Sequence, residues 1–235
     1  MRSPLVRSRT TARVVGILFL AADAAGVAAL AVAGGLVSAP VDVAALNAHG
    51  SRVVWAALLT LLMGLTLALI PVIALPVFRR YEEVLATAYL VFRGALEMIG
   101  YAASAFAWLA LVQVASGPRD AGTARVADAL AGMPDAVINP YTDIVFSLGA
   151  LILSWLLLRS RLVPGWLAVW GLAGGVLYLA QGVATAFGSG WGLLMAPLAL
   201  QEITLAVWLI IKGFADDVAG DADRASPLLD TGARP

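Results

Sequence analysis

The sequence predicts an all-α, polytopic membrane protein, a bundle of six transmembrane helices with both termini in the cytosol. Three observations carry this. Composition is the first: 61% of the 235 residues are hydrophobic and only 13% are charged, with a mean hydropathy of +0.91, whereas a soluble domain is about 45–50% apolar and about 25% charged. Too few polar groups exist to cover a water-facing surface, so lipid must be the solvent. The second is a succession of six apolar segments, each reaching the roughly 20 residues that cross about 30 Å of hydrocarbon. No alternating strand pattern recurs, and only helices or closed barrels satisfy the backbone in lipid. The third is the placement of Arg and Lys, which sets orientation.

The first span, at about 14–37, follows Arg2, Arg7, Arg9 and Arg13. An arginine-rich flank ahead of an apolar run resembles a signal peptide, but the run far exceeds a 7–15-residue signal core, so it reads as a retained helix. The second, at about 53–78, contains Pro71 and Pro76, which predict a kink towards its inner end. Arg79 and Arg80 separate it from the third, at about 83–115. The fourth, at about 140–158, is the shortest, and Arg159 and Arg161 join it to the fifth, at about 164–187. The sixth spans about 192–214. Residues 1–214 thus form the membrane domain, and 215–235, rich in Asp, Ala and Pro, read as a disordered cytoplasmic tail.

Eleven basic residues fall at the end that carries both termini, counting Lys212, Arg224 and Arg234. Arg52, Arg119 and Arg125 fall at the other end, and Arg93 lies inside a span. This asymmetry places both termini inside. Preference for arginine over lysine, with abundant Ala, Gly and Val, points to a GC-rich bacterial source, hence to the bacterial cytoplasmic (inner) membrane. Trp55, Trp108 and Trp191 fall near the expected outer ends of spans, and Trp155, Trp166 and Trp170 near inner ends, as interfacial belts. The outer connections, 38–51 and 116–139, have room for short amphipathic helices, for example Thr123–Leu130. His49, the one histidine, reads as a solvated loop residue.

Several chemistries are excluded or disfavoured. The chain has no cysteine, which rules out disulfides and thiolate metal sites. One histidine cannot build a multi-histidine metal centre, and no HExxH, GxSxG or P-loop occurs. Tyr141-Thr142-Asp143 resembles the start of an intramembrane aspartyl protease pattern, but no GxGD follows. No metal, cofactor, catalytic residue or nucleic-acid partner is expected. The expected partners are membrane lipids and a small polar ligand or cation. Oligomeric state is not legible.

Ionisable groups inside hydrocarbon are costly and are functional candidates by default. Five are expected there: Asp23, Arg93, Glu97, Asp143 and Glu202. Arg93 and Glu97, four apart, share a helix face that continues through Tyr101, Ser104 and Trp108. The fourth span has a stripe Asp143–Ser147–Ala150–Ser154, and the fifth Gly174–Tyr178–Gln181–Thr185. The sixth offers Gln201 beside Glu202. These faces should converge on the interior, since the alternative is to turn them to lipid. Four carboxylates against one arginine leave an excess of negative charge, which suits a bound proton or cation.

The chain also resembles a known family on four stretches: Arg13-Val-Val-Gly-Ile-Leu-Phe-Leu20, Phe92-Arg93-Gly-Ala-Leu-Glu97, Arg159-Ser-Arg-Leu-Val-Pro164 and Glu202-Ile-Thr-Leu-Ala-Val-Trp-Leu-Ile-Ile-Lys-Gly213. Their order and spacing are similar to the bacterial six-helix membrane proteins grouped as domain of unknown function 4386. The resemblance spans roughly residues 10–214. It implies a fold and a topology rather than a reaction, and adds weight to Arg93, Glu97 and Glu202 but none to Asp23 or Asp143.

Three readings remain open on these grounds. One is binding or transport of a proton, cation or small polar ligand at the buried carboxylate/arginine cluster. A second is a non-catalytic membrane scaffold whose ion network is structural. A third is an intramembrane enzyme acting on a lipid-like substrate with Glu97 or Glu202 as general acid.

Overall fold

The computed structural model describes residues 4–118 and 120–215. The tail expected beyond residue 215, and Arg2, Arg119, Arg224 and Arg234, lie outside the described residues. Within them the chain is helical throughout, with no strand. Six helical stretches are long and apolar enough to cross a membrane. The protein is a six-helix membrane bundle.

Helix α1 (Pro4–Ala33) ends in a 3-10 turn, Gly34–Val37. Helix α2 runs over Val43–Phe78, so it begins about ten residues, nearly three turns, earlier than hydropathy alone suggests. Asp42 explains the early start: its carboxylate accepts from the backbone N–H groups of Ala44 and Ala45 at 3.0 Å each and caps a polar first section. His49 therefore lies within α2 rather than in a loop. It is also where the helix departs from helical dihedrals (φ −124°, ψ 22°), whereas Pro71 and Pro76 sit in helical backbone. The kink expected at the prolines is found instead near the polar end.

The third span is α3 (Glu83–Tyr89), a π-helical segment (Leu90–Leu96) and α4 (Glu97–Ala115) in continuous succession. The fourth is longer than expected, not shortest. Helix α5 (Ala121–Met133) passes through a second π segment (Pro134–Ile138) into α6 (Asn139–Ser160) without a break. Asp120 caps α5 by accepting from the N–H of Thr123 at 2.7 Å, and these backbone donors hold its carboxyl below the usual carboxylate range. Arg161 turns the chain at φ 54° into α7 (Gly165–Ala186), and a 3-10 turn (Gly192–Met195) leads to α8 (Ala196–Ile211).

Helix pairings α1–α2, α2–α4, α6–α7, α7–α8 and α1–α8, with α3 and α4 against α6, close the six spans into a ring. An even number of crossings puts both chain ends at one face. We call this the terminal face, and the opposite one, carrying the 34–42, 116–138 and 187–195 connections, the loop face. Two apolar cores fill the ring. One, nearer the terminal face, is built on Phe19, Ile70, Phe78, Tyr89, Leu157 and Phe214. The other, nearer the loop face, is built on Leu46, Val53, Trp108, Leu111 and Ala127. The terminal half of α1 and α8 fits closely: a Cβ on Gly16 would come within 2.5 Å of the Ala206 carbonyl oxygen, so only glycine allows that approach. Trp55, Trp155, Trp166 and Trp191 stand exposed at the span ends, whereas Trp108 is buried and faces the interior.

Candidate functional site

Between the two cores lies the polar part of the molecule. Arg93, in the first π segment, is 2% exposed. Its Nη2 donates to Glu202 Oε1 at 3.0 Å, and its Nη1 lies 3.3 Å from Glu97 Oε2. Glu97 is fully buried and accepts from the Tyr101 hydroxyl at 2.8 Å through its other oxygen. Two rings bracket the guanidinium: its central carbon lies 4.7 Å from the Phe146 ring centre and 5.4 Å from that of Phe19. A planar cation between aromatic faces regains part of the hydration it loses on burial.

The triad ties together α4, α8 and, through the rings, α1 and α6. Its hydrogen bonding is incomplete. The Arg93 Nη1–Glu97 Oε2 approach has the distance of an ion pair without hydrogen-bond alignment. Arg93 Nε and the buried Tyr89 hydroxyl, one turn away, also lack a hydrogen-bond partner. Both π segments fall in elements that present site residues, Arg93 in one and Asp135 in the other. A π turn widens a helix locally and recurs at functional sites.

Above the triad, towards the loop face, a cavity of about 450 Å³ opens. That is within the range of small-molecule sites. Tyr101 belongs both to its lining and to the triad, and so forms the junction between them. Ser104, Trp108 and Thr60 supply further wall. Two carboxylates, Asp135 and Asp143, line it, and no basic side chain does among the described residues. Asn139 donates to Asp135 at 3.0 Å, and Tyr178 donates to Asp143 at 3.4 Å.

The expected interior faces do meet, with unequal consequences. Arg93, Glu97, Glu202 and Tyr101 form one connected group, and Asp143 lines the cavity beside it. Gln201 is instead a packing residue, donating to the Leu167 carbonyl at 3.1 Å. Gln181 pins the α7–α8 connection: its side-chain oxygen accepts from the Trp191 N–H at 2.6 Å, and its amide nitrogen donates to Thr185 at 3.0 Å. Asp23 departs from expectation altogether. It is exposed, not turned inward, because the buried side of α1 is taken by Phe19, Ala22, Ala25 and Ala29. Asp135 and Asn139 were not among the expected residues. Their spacing carried a signal, since 135, 139 and 143 repeat every four residues and continue the stripe that begins at Asp143.

Residues 14–213 match the family described as Domain of unknown function (DUF4386). The chain belongs to this family. The match takes in all six spans, the triad and the cavity. No curated protein and no solved structure matches the chain.

Proposed function

We infer that this DUF4386 protein binds a small organic cation in its loop-face cavity, and that the Arg93–Glu97–Glu202 triad builds the floor rather than the ligand contacts. One observation carries the reading: a cavity of about 450 Å³ walled by two carboxylates and two aromatic rings, Tyr101 and Trp108, with no basic side chain among its described lining. Ammonium groups are held by carboxylates and by the faces of aromatic rings. Anions would meet net repulsion there. Both triad carboxylates are turned to the one guanidinium and none of the three residues lines the cavity; Glu97 fixes Tyr101 at its base.

The basic residues at the terminal face, among them Arg79, Arg80, Arg159, Arg161 and Lys212, support a cytosolic terminal face in the inner membrane of a bacterium, with the cavity opening outward.

Tetramethylammonium is a direct probe. Titrated into purified protein in a nonionic detergent, it should quench or shift the fluorescence of Trp108 saturably, and Trp108→Phe should remove that signal. Asp143→Asn should weaken binding about tenfold, the scale of one charge-assisted contact. Equal binding by Asp143→Asn and the parent would rule the reading out.

A second reading has its own support. Arg93 and Glu97 are enclosed, as parts of a structural ion network would be, and a scaffold needs no ligand. It predicts no saturable response to any cation.

A further inference from the structure

Asp23 is a physical anomaly that the cavity reading leaves unused. It lies well inside the first membrane-crossing stretch, Ser8–Val37, yet it is exposed. Among the described residues no hydrogen bond or ion pair reaches it, and it is not one of the residues with a further contact. A bare carboxylate at that depth is costly on any scale of membrane insertion. Neighbouring positions on the same side of α1 are what lipid-facing residues should be: Val27 is 69% exposed and Leu30 is 68% exposed.

Leu30 has a double character. It is on the outer surface of α1, and it is also part of the cavity lining, together with Gly26, Ala29 and Ala33. The cavity therefore reaches the outside of the bundle at Leu30. Helical geometry places Asp23 almost directly beneath that lip, since seven residues make close to two full turns, about 10 Å along the axis. Across the cavity from α1 the lining passes to Met195, just ahead of α8. Nearer the terminal face the same two helices close tightly at Gly16 and Ala206. The α1–α8 seam is thus shut in its terminal half, and in the loop half the cavity lies against α1, with Met195 ahead of α8 on its wall.

We propose that the cavity has a side entrance over the Leu30 edge of α1, and that Asp23 at its foot receives the ammonium head of an amphiphilic cation arriving from the bilayer rather than from water. This rests on the cation reading of the cavity and names the ligand class: a positively charged head on an apolar chain. The apolar side of α1, Val27 and Leu30, carries the chain, while Asp23 and then Asp143 hold the charge. A ligand restricted to water needs neither an exposed leucine at the cavity rim nor a carboxylate below it.

The test uses the full chain in phosphatidylcholine nanodiscs with two probes, tetramethylammonium and dodecyltrimethylammonium, each corrected for binding to empty discs. The parent should bind the dodecyl probe more tightly than the short one. Asp23→Asn should weaken the dodecyl probe about tenfold and leave tetramethylammonium within about a factor of two. Asp143→Asn should weaken both. Leu30→Trp, which fills the lip without touching a charge, should slow dodecyl association in stopped flow about tenfold and, because Leu30 also lines the cavity, slow the short probe by less; that difference decides the matter even if Asp23→Asn fails to fold. Parent-like dodecyl binding and association in both the Asp23 and Leu30 variants, with Asp143→Asn still weakening both probes, would refute the side entrance while the cavity reading stands. Failure of the parent to bind either probe would remove both.

Discussion

Removing Arg93 alone should damage the protein far more than removing the whole triad. The two ion pairs measure 3.3 Å to Glu97 and 3.0 Å to Glu202. At an effective dielectric of about 20, each attraction is about 5 kcal/mol. Desolvating three charges costs several kcal/mol per ion, so the assembled triad is close to neutral in net stability. Stranding one charge is not neutral. Arg93→Met leaves both Glu97, fully buried, and Glu202, at 12% exposure, without a cation, and should cost about 3–5 kcal/mol. The double variant Arg93→Met, Glu97→Leu still leaves Glu202 without its cation and should remain about 1–3 kcal/mol below the parent. Adding Glu202→Leu should return stability to within about 1 kcal/mol of the parent. Equilibrium unfolding in mixed micelles, with a rising fraction of sodium dodecyl sulfate and followed by far-UV circular dichroism, reads all three. A triple variant as unstable as Arg93→Met, or a single variant as stable as the parent, would refute the argument.

Two further outcomes follow from packing and from charge placement. Gly100→Ala should destabilise by about 1–3 kcal/mol, because its Cβ would overlap the Thr142 hydroxyl of α6; the same unfolding titration should recover most of that loss in Gly100→Ala, Thr142→Ala. Single cysteines are easily introduced into a chain that has none. In bacterial cells, a membrane-impermeant maleimide should label Ser189→Cys at the loop face and spare Ser160→Cys at the terminal face; the reverse pattern would invert the topology.

The membrane spans were legible because hydropathy is a bulk property, summed over some 20 residues and insensitive to detail. The Arg93–Glu97 pair was legible because four-residue spacing needs only a helix. Glu202 had to be guessed into their company, since nothing local says which face of α8 meets α4, and the structure does bring it there. The brackets of Phe19 and Phe146 were invisible for the same reason: a phenylalanine in a greasy helix carries no mark of having a cation for a neighbour. Asp23 misled because the rule that charge turns inward concerns cost, and a cost can be borne. The cavity stayed hidden because part of its wall, Ala131, Pro134, Asp135 and Asn139, comes from the 116–139 connection, where hydropathy falls and helical continuity through Pro134 leaves no simple pattern. The start of α2 was misjudged on similar grounds, as a capped polar turn and a dissolved loop share one composition.

The uninterrupted rod from Ala121 to Ser160 has a mechanical consequence. Asp135 and Asp143 ride on it, one on the overhanging arm and one on the buried shaft. At the arm's far side, Asp128 accepts from the Val41 backbone N–H at 2.7 Å, tying it to the chain between the first two spans. The arm is therefore held at two places, by Ala127 and Ala131 in the loop-face core and by this one carboxylate. With the shaft packed on α7, the two acidic residues of the cavity wall are carried on one rod braced at both ends.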